Sequence, residues 1–459
     1  MEIYILTDFG STYTKMMAVD VDKGEVVATS KAFTTIVEGI KKGYDKALEA
    51  LLAQLGDVVV KGRYACSSAA GGLKMVSSGL VPDLTAKAAR LAATSAGAKV
   101  MKTYAYELTQ AHAAEIAALE PDIVLLTGGI DGGNKDILIQ NAARLGSITK
   151  NFFVIVAGNR SAACEAMGIL EACHKRAIIT ENVMPSFGKL NIAPTKKAIR
   201  DLFIANIIKA KGLDEVAKEM DADIIPTPLS VYEACRLLSQ GFEGEEGLGE
   251  LMAYDIGGAT TDVYSMASGD PSFSNSFITG IKEPFAKRTV EGDLGMRYSL
   301  KALHDLAVEE GHIDPDDAQM QEWLEICQAN PDVKPLGEYE KYANIDALVA
   351  AYAIKTAANR HAGRLEKVFT ANGEAFLQEG KDLSDVKYII GGGGAVINAK
   401  NPQGIMREAI KAPQDINILK PTSPQILLDR KNTLSAMGLL VKENPSLALK
   451  ILKKNITQE

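Results

Sequence analysis

The chain has 459 residues, 47% of them hydrophobic and 24% charged, with a formal net charge of −8. That length exceeds what one hydrophobic core usually holds, and the composition excludes a disordered or collagen-like chain, so two or more compact domains are expected. Scattered Lys and Arg in an acidic chain argue against nucleic acid as a partner, because affinity for a polyanion rests on clustered basic residues.

Met1 opens directly onto an apolar stretch and a polar turn, and no apolar run approaches about 18 residues, so a cytoplasmic location without a membrane span is expected. The cysteines (Cys66, Cys164, Cys173, Cys235, Cys327) are widely spaced with no CxxC pair, which points to buried or idle thiols rather than disulfides or zinc. The histidines (His112, His174, His304, His312, His361) show no ligand spacing.

In chain order, residues 3–7, 16–21 and a run from 26 predict a three-stranded meander. Residues 39–55 follow with helical periodicity through Ile40, Tyr44, Ala47, Leu48, Leu51 and Leu52, then a strand at 63–67. From 99 to 181, short apolar runs at 123–127, 152–157 and 177–180 alternate with helices, the pattern of a parallel, helix-covered subdomain. Residues 194–220 read as helical, and the Gly- and Glu-rich stretch 241–250 as a solvated loop or hinge. The second half restarts the first, with strands at 251–255 and 262–266, a mainly helical stretch over 290–374, a strand at 386–390, four glycines and a helical C-terminal segment. These boundaries predict domains at 1–98, 99–185 (an inserted α/β subdomain), 186–250 (a return to the first domain and a connecting helix) and 251–459.

Residues 8–14 read DFGSTYT and 255–261 read DIGGATT, both D-x-G-[SG]-x-x-T between apolar strands. One such turn is a weak signal. Two in the same setting, half a chain apart, point to a duplicated phosphate-binding hairpin. Gly10, Gly257 and Gly258 would let backbone N–H groups approach a phosphate, with Ser11, Thr12, Thr260 and Thr261 as hydroxyl donors. Asp8 and Asp255 are the candidate magnesium ligands and catalytic carboxylates, because a hard cation bridging phosphates takes few carboxylates and keeps several waters. Lys15 is near enough to meet a phosphate as a point charge, and equally reads as a solvated or structural lysine. A third element, VKYIIGGGGAVIN at 386–398, ends a buried strand in Gly391, Gly392, Gly393 and Gly394, where a base or ribose could rest on backbone; a plain tight connection explains it as well.

These three elements, in this order, resemble the actin, heat-shock chaperone and sugar kinase superfamily. The resemblance implies an α/β, two-lobed actin-like ATPase built from duplicated ribonuclease-H-like domains, with ATP and magnesium as cofactors. Residues 226–237 (PTPLSVYEACRL) and 432–440 (NTLSAMGLL) resemble its two connecting helices, whose small residues Ala234, Ala436 and Gly438 would permit close crossing. More narrowly, LTDFGSTYTK, ACSSAAGGLKMV (65–76), LLTGGIDGGN (125–134), AYDIGGATTDV (253–263), VEGDLGMR (290–297) and IIGGGGAVIN are similar to the glutamate mutase accessory proteins MutL or GlmL, over essentially the whole chain. That family implies a reactivating or assembly partner of an adenosylcobalamin-dependent mutase, with a homo-oligomer open.

One departure matters. Heat-shock chaperones carry Glu before the Pro of the first connecting segment, whereas this chain has Thr227 before Pro228. Without that carboxylate, slow hydrolysis suited to a conformational timer is expected. A small-molecule kinase, an activator ATPase of another radical enzyme and a filament-forming actin relative remain alternatives. The 125–134 turn reads as structural before it reads as an anion site. Glu291, Asp293 and Arg297 read either as nucleotide contacts or as a capped helix start.

Overall fold

A computed structural model describes residues 1–10, 13–34, 39–68, 73–204, 213–371 and 373–456. Strands β1 (Glu2–Phe9), β2 (Tyr13–Asp20), β3 (Glu25–Phe33) and β4 (Val59–Ser67) are followed by a parallel insertion, β5 (Lys74–Gly79), β6 (Lys99–Ala105), β7 (Ile123–Leu126), β8 (Phe153–Val156) and β9 (Arg176–Ile179). β10 (Ile225–Pro226) then completes the first sheet, in the order β10-β4-β1-β2-β3. β1 runs antiparallel to β2 and parallel to β4, which is parallel to β10.

A short hairpin, β11 (Gly241–Phe242) and β12 (Glu245–Glu246), precedes the second half. There β13 (Leu251–Ile256), β14 (Thr261–Met266), β15 (Ser276–Ile278), β16 (Ala286–Glu291), β17 (Arg364–Thr370), β18 (Gly373–Glu379), β19 (Tyr388–Gly392) and β20 (Gln425–Leu428) form two sheets. The larger has the order β16-β14-β13-β19-β20, with β13 antiparallel to β14 and parallel to β19, itself parallel to β20. This is the strand order and polarity of the first sheet repeated. The chain therefore has the duplicated ribonuclease-H-like organisation of the actin-like ATPase fold, in the α/β class.

The chain divides into two compact units, Met1–Asp20 with Val27–Leu229 and Val21–Val26 with Ser230–Glu459. In the first, Ile3, Ile5, Leu6 and Phe9 of β1 are all buried, since helices and neighbouring strands cover both faces. The insertion is ordered β6-β5-β7-β8-β9, all parallel, and its core is built on Val124, Leu126, Val154, Val156, Leu138 and Leu170. It takes its first strand from Lys74, ahead of residue 99.

The core of the second unit centres on Trp323, stacked on Tyr342 with ring centroids 5.0 Å apart. The helical reading of 290–374 needs one correction. Helices occupy Leu300–Glu309, Ala318–Ala329 and Ala343–His361, after which β17 and β18 pair as an antiparallel hairpin. Ala362 is extended at φ −68 and ψ 156, which ends the helix, and Gly363 then lies close to the carbonyl oxygen of Glu379, where no Cβ would fit. Among the described residues no helix is long and apolar enough to cross a membrane.

Candidate functional site

In the first unit the site grows from the carboxyl ends of three adjacent parallel strands. Asp8, one residue before the end of β1, lies opposite Cys66 on β4, and Cys66 lies opposite Ile225 on β10. Two residues on, Thr227 starts the helix Thr227–Gln240 and donates from Oγ1 to Asp8 Oδ1 at 2.7 Å. The Cys66 thiol donates to the same oxygen at 3.5 Å. Burial, reinforced by the Asp8 carboxylate, pushes that thiol well above the usual range, so Cys66 stays a neutral donor. One carboxylate oxygen is thus fixed from two sides.

The first turn closes with the Gly10 N–H on Tyr13 O at 3.0 Å, and a Cβ at Gly10 would meet that oxygen at 2.8 Å. Lys15 pairs in register with Asp8 and is exposed. Ser11 and Thr12 lie outside the described residues.

In the second unit the structure brings the remaining sequence candidates together. β13 carries Asp255 in register with Gly392, and Gly391 with Tyr254, so the four-glycine turn runs beside the second Asp-Gly turn. Gly393, at φ +84, packs directly on the backbone of Ile256; a Cβ there would come within 2.7 Å of Ile256 N. That position needs glycine for conformation and for space. Gly257 N–H closes the turn on Thr260 O at 2.9 Å, and the half-buried Gly258 has ordinary surroundings. Thr260 Oγ1 reaches Asp262 at 3.3 Å, while Thr261 Oγ1 donates to Leu294 O at 2.6 Å and is buried.

VEGDLGMR forms the outer wall of this turn. Met296, Arg297 and Tyr298 N–H groups bond the carbonyls of Gly257 and Gly258, and a Cβ on Gly295 would lie 2.6 Å from Ala259 O. Its charged residues are committed elsewhere. Arg297 bonds Asp346 at 2.8 Å, and Arg360 clamps Glu291 at 2.9 Å and Asp293 at 2.8 Å. Burial would raise the Asp293 pKa, but the Arg360 hydrogen bonds outweigh it and hold it low.

Sequence reasoning missed two residues here. Cys66 is one. Asp429, at the end of β20, accepts from Thr433 N at 2.6 Å and Leu434 N at 2.9 Å, capping the helix Thr433–Leu440. Burial first, then Asp429 and Asp255, raise the Cys235 thiol. A signal for Asp429 was present, because ILTD (5–8), MAYD (252–255) and ILLD (426–429) all end an apolar run in Asp. The two small-residue helices do cross, with Ser230 Oγ donating to Ser435 O at 2.6 Å and lying 2.5 Å from where a Cβ on Gly438 would sit.

The 125–134 turn is braced from within. Asn159 Nδ2 bonds Gly133 O and Asn134 O at 3.0 Å, and Asn182 Nδ2 bonds Gly129 O at 3.0 Å and Asp131 at 2.9 Å. Those contacts describe a structural knot.

Set beside known proteins, residues 4–456 match the family model described as MutL protein. The chain belongs to the MutL family. Protein MutL of Clostridium tetanomorphum is 41% identical over 471 residues, the alignment covering 100% of both chains. Among solved structures, ligand-bound xylulose kinase from Lactobacillus acidophilus aligns at 11% identity, covering 100% of this MutL-family chain and 93% of the kinase, with a TM-score of 0.36. Gluconate kinase from the same organism aligns at 12% identity, covering 100% and 92%, with a TM-score of 0.36. The fold assignment rests on the repeated strand order rather than on these likenesses.

Proposed function

We propose that this MutL-family chain is an ATP-binding, slowly hydrolysing factor that reactivates or assembles an adenosylcobalamin-dependent mutase such as glutamate mutase. The observation that carries the nucleotide part is the repetition of one arrangement: in each unit a partly buried Asp, one residue before the end of the central strand of a five-stranded sheet, precedes a glycine turn. Membership of the MutL family supports the mutase partner.

The residues fit a magnesium nucleotide. Asp8 and Asp255 are half-buried carboxylates of the kind a hard cation takes, and Gly391 to Gly394 put side-chain-free backbone beside the turn that follows Asp255. Bound magnesium would neutralise phosphate charge and polarise the group transferred. Gly258 offers a backbone N–H and close approach, and Thr260 adds a hydroxyl, whereas the Gly10 and Gly257 N–H groups close their own turns on Tyr13 O and Thr260 O. Lys15 is an exposed cation on β2 in register with Asp8, and its charge would favour a phosphate there. Thr227, which holds Asp8, has no carboxylate with which to take a proton from water, and this supports turnover well below about 10 per second.

Calorimetric titration of the wild type, D8N and D255N with ADP or ATP, with and without magnesium, tests the first part. Magnesium-dependent binding in the wild type that falls in both variants is expected; binding that ignores both substitutions would reject it. Recovery of an inactivated adenosylcobalamin mutase with and without ATP tests the second, and no nucleotide-dependent recovery would reject that.

A further inference from the structure

The second unit also holds a pocket of about 330 Å³ that none of the sequence motifs touches. It is lined by Lys355, Arg407, Lys411 and Lys420, with Glu408 and Ile410 among its other walls. Four cationic side chains converge on one small space in a chain whose formal net charge is −8.

Their partners account for only part of that charge. Lys420, at 1% exposure, pairs with Asp415 at 2.7 Å. The same Asp415 oxygen also accepts from Ala412 N at 2.9 Å, so this carboxylate is already committed to the pocket floor. Lys355 meets the ring of His312 at 3.2 Å and acts on Asp415 at longer range. Among the described residues Arg407 and Lys411 have no carboxylate partner, and Glu408 is the single acid in the lining. Counting Lys355, Arg407 and Lys411 against Glu408, with Lys420 and Asp415 cancelling, the pocket carries an excess of two positive charges.

Cations that outnumber the acids beside them are mutually repulsive, and an anion relieves that repulsion. The chemistry of the walls narrows the choice. Arg407 offers a planar fork matched to two oxygens of one group, and the lysines add point charges from other sides. The lining contains no aromatic side chain, and Ile410 and Ala412 supply its only aliphatic surface, so a base or other flat apolar group has nothing to stack on. The volume lies at the small end of ligand pockets.

The position is distinct from the phosphate turns. Asp255, Gly257 and Gly391 to Gly394 gather where β13 and β19 end. Arg407 to Lys420 belong to the segment that carries the chain from the helix Pro402–Arg407 to the start of β20, with Lys411 N bonded to Pro421 O at 2.8 Å.

We propose that this pocket is a second anion site, taking a compact phosphate-class dianion, either inorganic phosphate or the phosphate group of a small ester. It stands independently of the nucleotide reading. The full-length chain is titrated calorimetrically with potassium phosphate and, in a second arm, with glycerol phosphate, against chloride at equal ionic strength. Wild type is compared with the double variant R407Q/K411Q and with K355Q, and circular dichroism reports the fold of each. Saturable binding weakened at least roughly ten-fold in the folded double variant is expected, with a smaller loss in K355Q. The tighter arm identifies the source of the phosphate. Binding as tight in R407Q/K411Q as in wild type, or absent from the wild type in both arms, overturns the proposal.

Discussion

Thr227 Oγ1 lies 2.7 Å from Asp8 Oδ1, joining two residues 219 positions apart. Thr227 presents a hydroxyl, not a carboxylate, to the acid of the first turn. The hydroxyl therefore orients Asp8 and cannot act as a base. Removing it in T227V leaves Cys66 as the donor to that oxygen, and a lost hydrogen bond to a charged group amounts to about 1.5–3 kcal/mol. We expect roughly ten-fold or greater weakening of magnesium-nucleotide binding in T227V, with T227S close to wild type. Titrations of magnesium at fixed nucleotide check this; equal magnesium dependence in T227V and wild type would remove Thr227 from the site.

Gly393 offers a test of the second turn. Its φ of +84 disfavours any side chain, and a Cβ would press into the Ile256 backbone next to Asp255. Strain and overpacking together predict a cost of about 2–5 kcal/mol for G393A. Gly394, whose Cβ would come no nearer than 3.6 Å to Asn398 Nδ2, is the internal control. The urea midpoint should fall sharply for G393A and little for G394A; similar midpoints would mean that the close packing on Ile256 is not needed.

The central strands and their glycine turns were legible because their signature is local: an apolar run, an acid, a glycine and hydroxyls within a few residues. The contacts that organise those acids were not. Thr227 read only as the absence of a carboxylate, and Cys66 as a buried or idle thiol, because they meet Asp8 only when β4 pairs with β1 and β10 adds to β4 late in the chain. Residues 364–370 read as helix because Arg, Leu, Glu and Lys favour it, and pairing with β18 overrode that preference. Glu291, Asp293 and Arg297 stood beside a glycine turn in sequence, yet their partners Arg360 and Asp346 lie in a helix some fifty or more residues on.

Asp262 and Arg288 form a buried pair behind the second turn. Arg288 Nε donates to Asp262 Oδ1 at 2.8 Å, and the arginine is 3% exposed. Removing the acid in D262N leaves a buried guanidinium without its counter-charge, which typically costs about 3–5 kcal/mol. We expect chemical denaturation to show a loss of that order, larger than the loss in D270N, whose lysine partner Lys282 is solvent-exposed. Equal losses would show that burial of the pair has little energetic consequence.

Lys381 sets a pH dependence of stability. Its ammonium is 1% exposed and donates to Ala267 O at 2.8 Å and Phe285 O at 2.5 Å. Burial, then the neighbouring Lys287, push its pKa from 10.5 down to about 7, against the opposing pull of Glu283 and Glu250. Below pH 7 folded and unfolded chains both hold the proton, so the cost of burying the charge is fully present. Between pH 7 and 10.5 the unfolded chain keeps a proton that the folded chain has released, and stability therefore rises with pH. The slope from this one group approaches about 1.4 kcal/mol per pH unit. In K381M this contribution disappears, so the difference between wild-type and variant unfolding free energies should shift steadily in favour of the wild type from pH 7 to 9.5. Urea titrations at intervals of one pH unit measure that difference; a value constant across the window would mean that Lys381 keeps its proton when the chain folds.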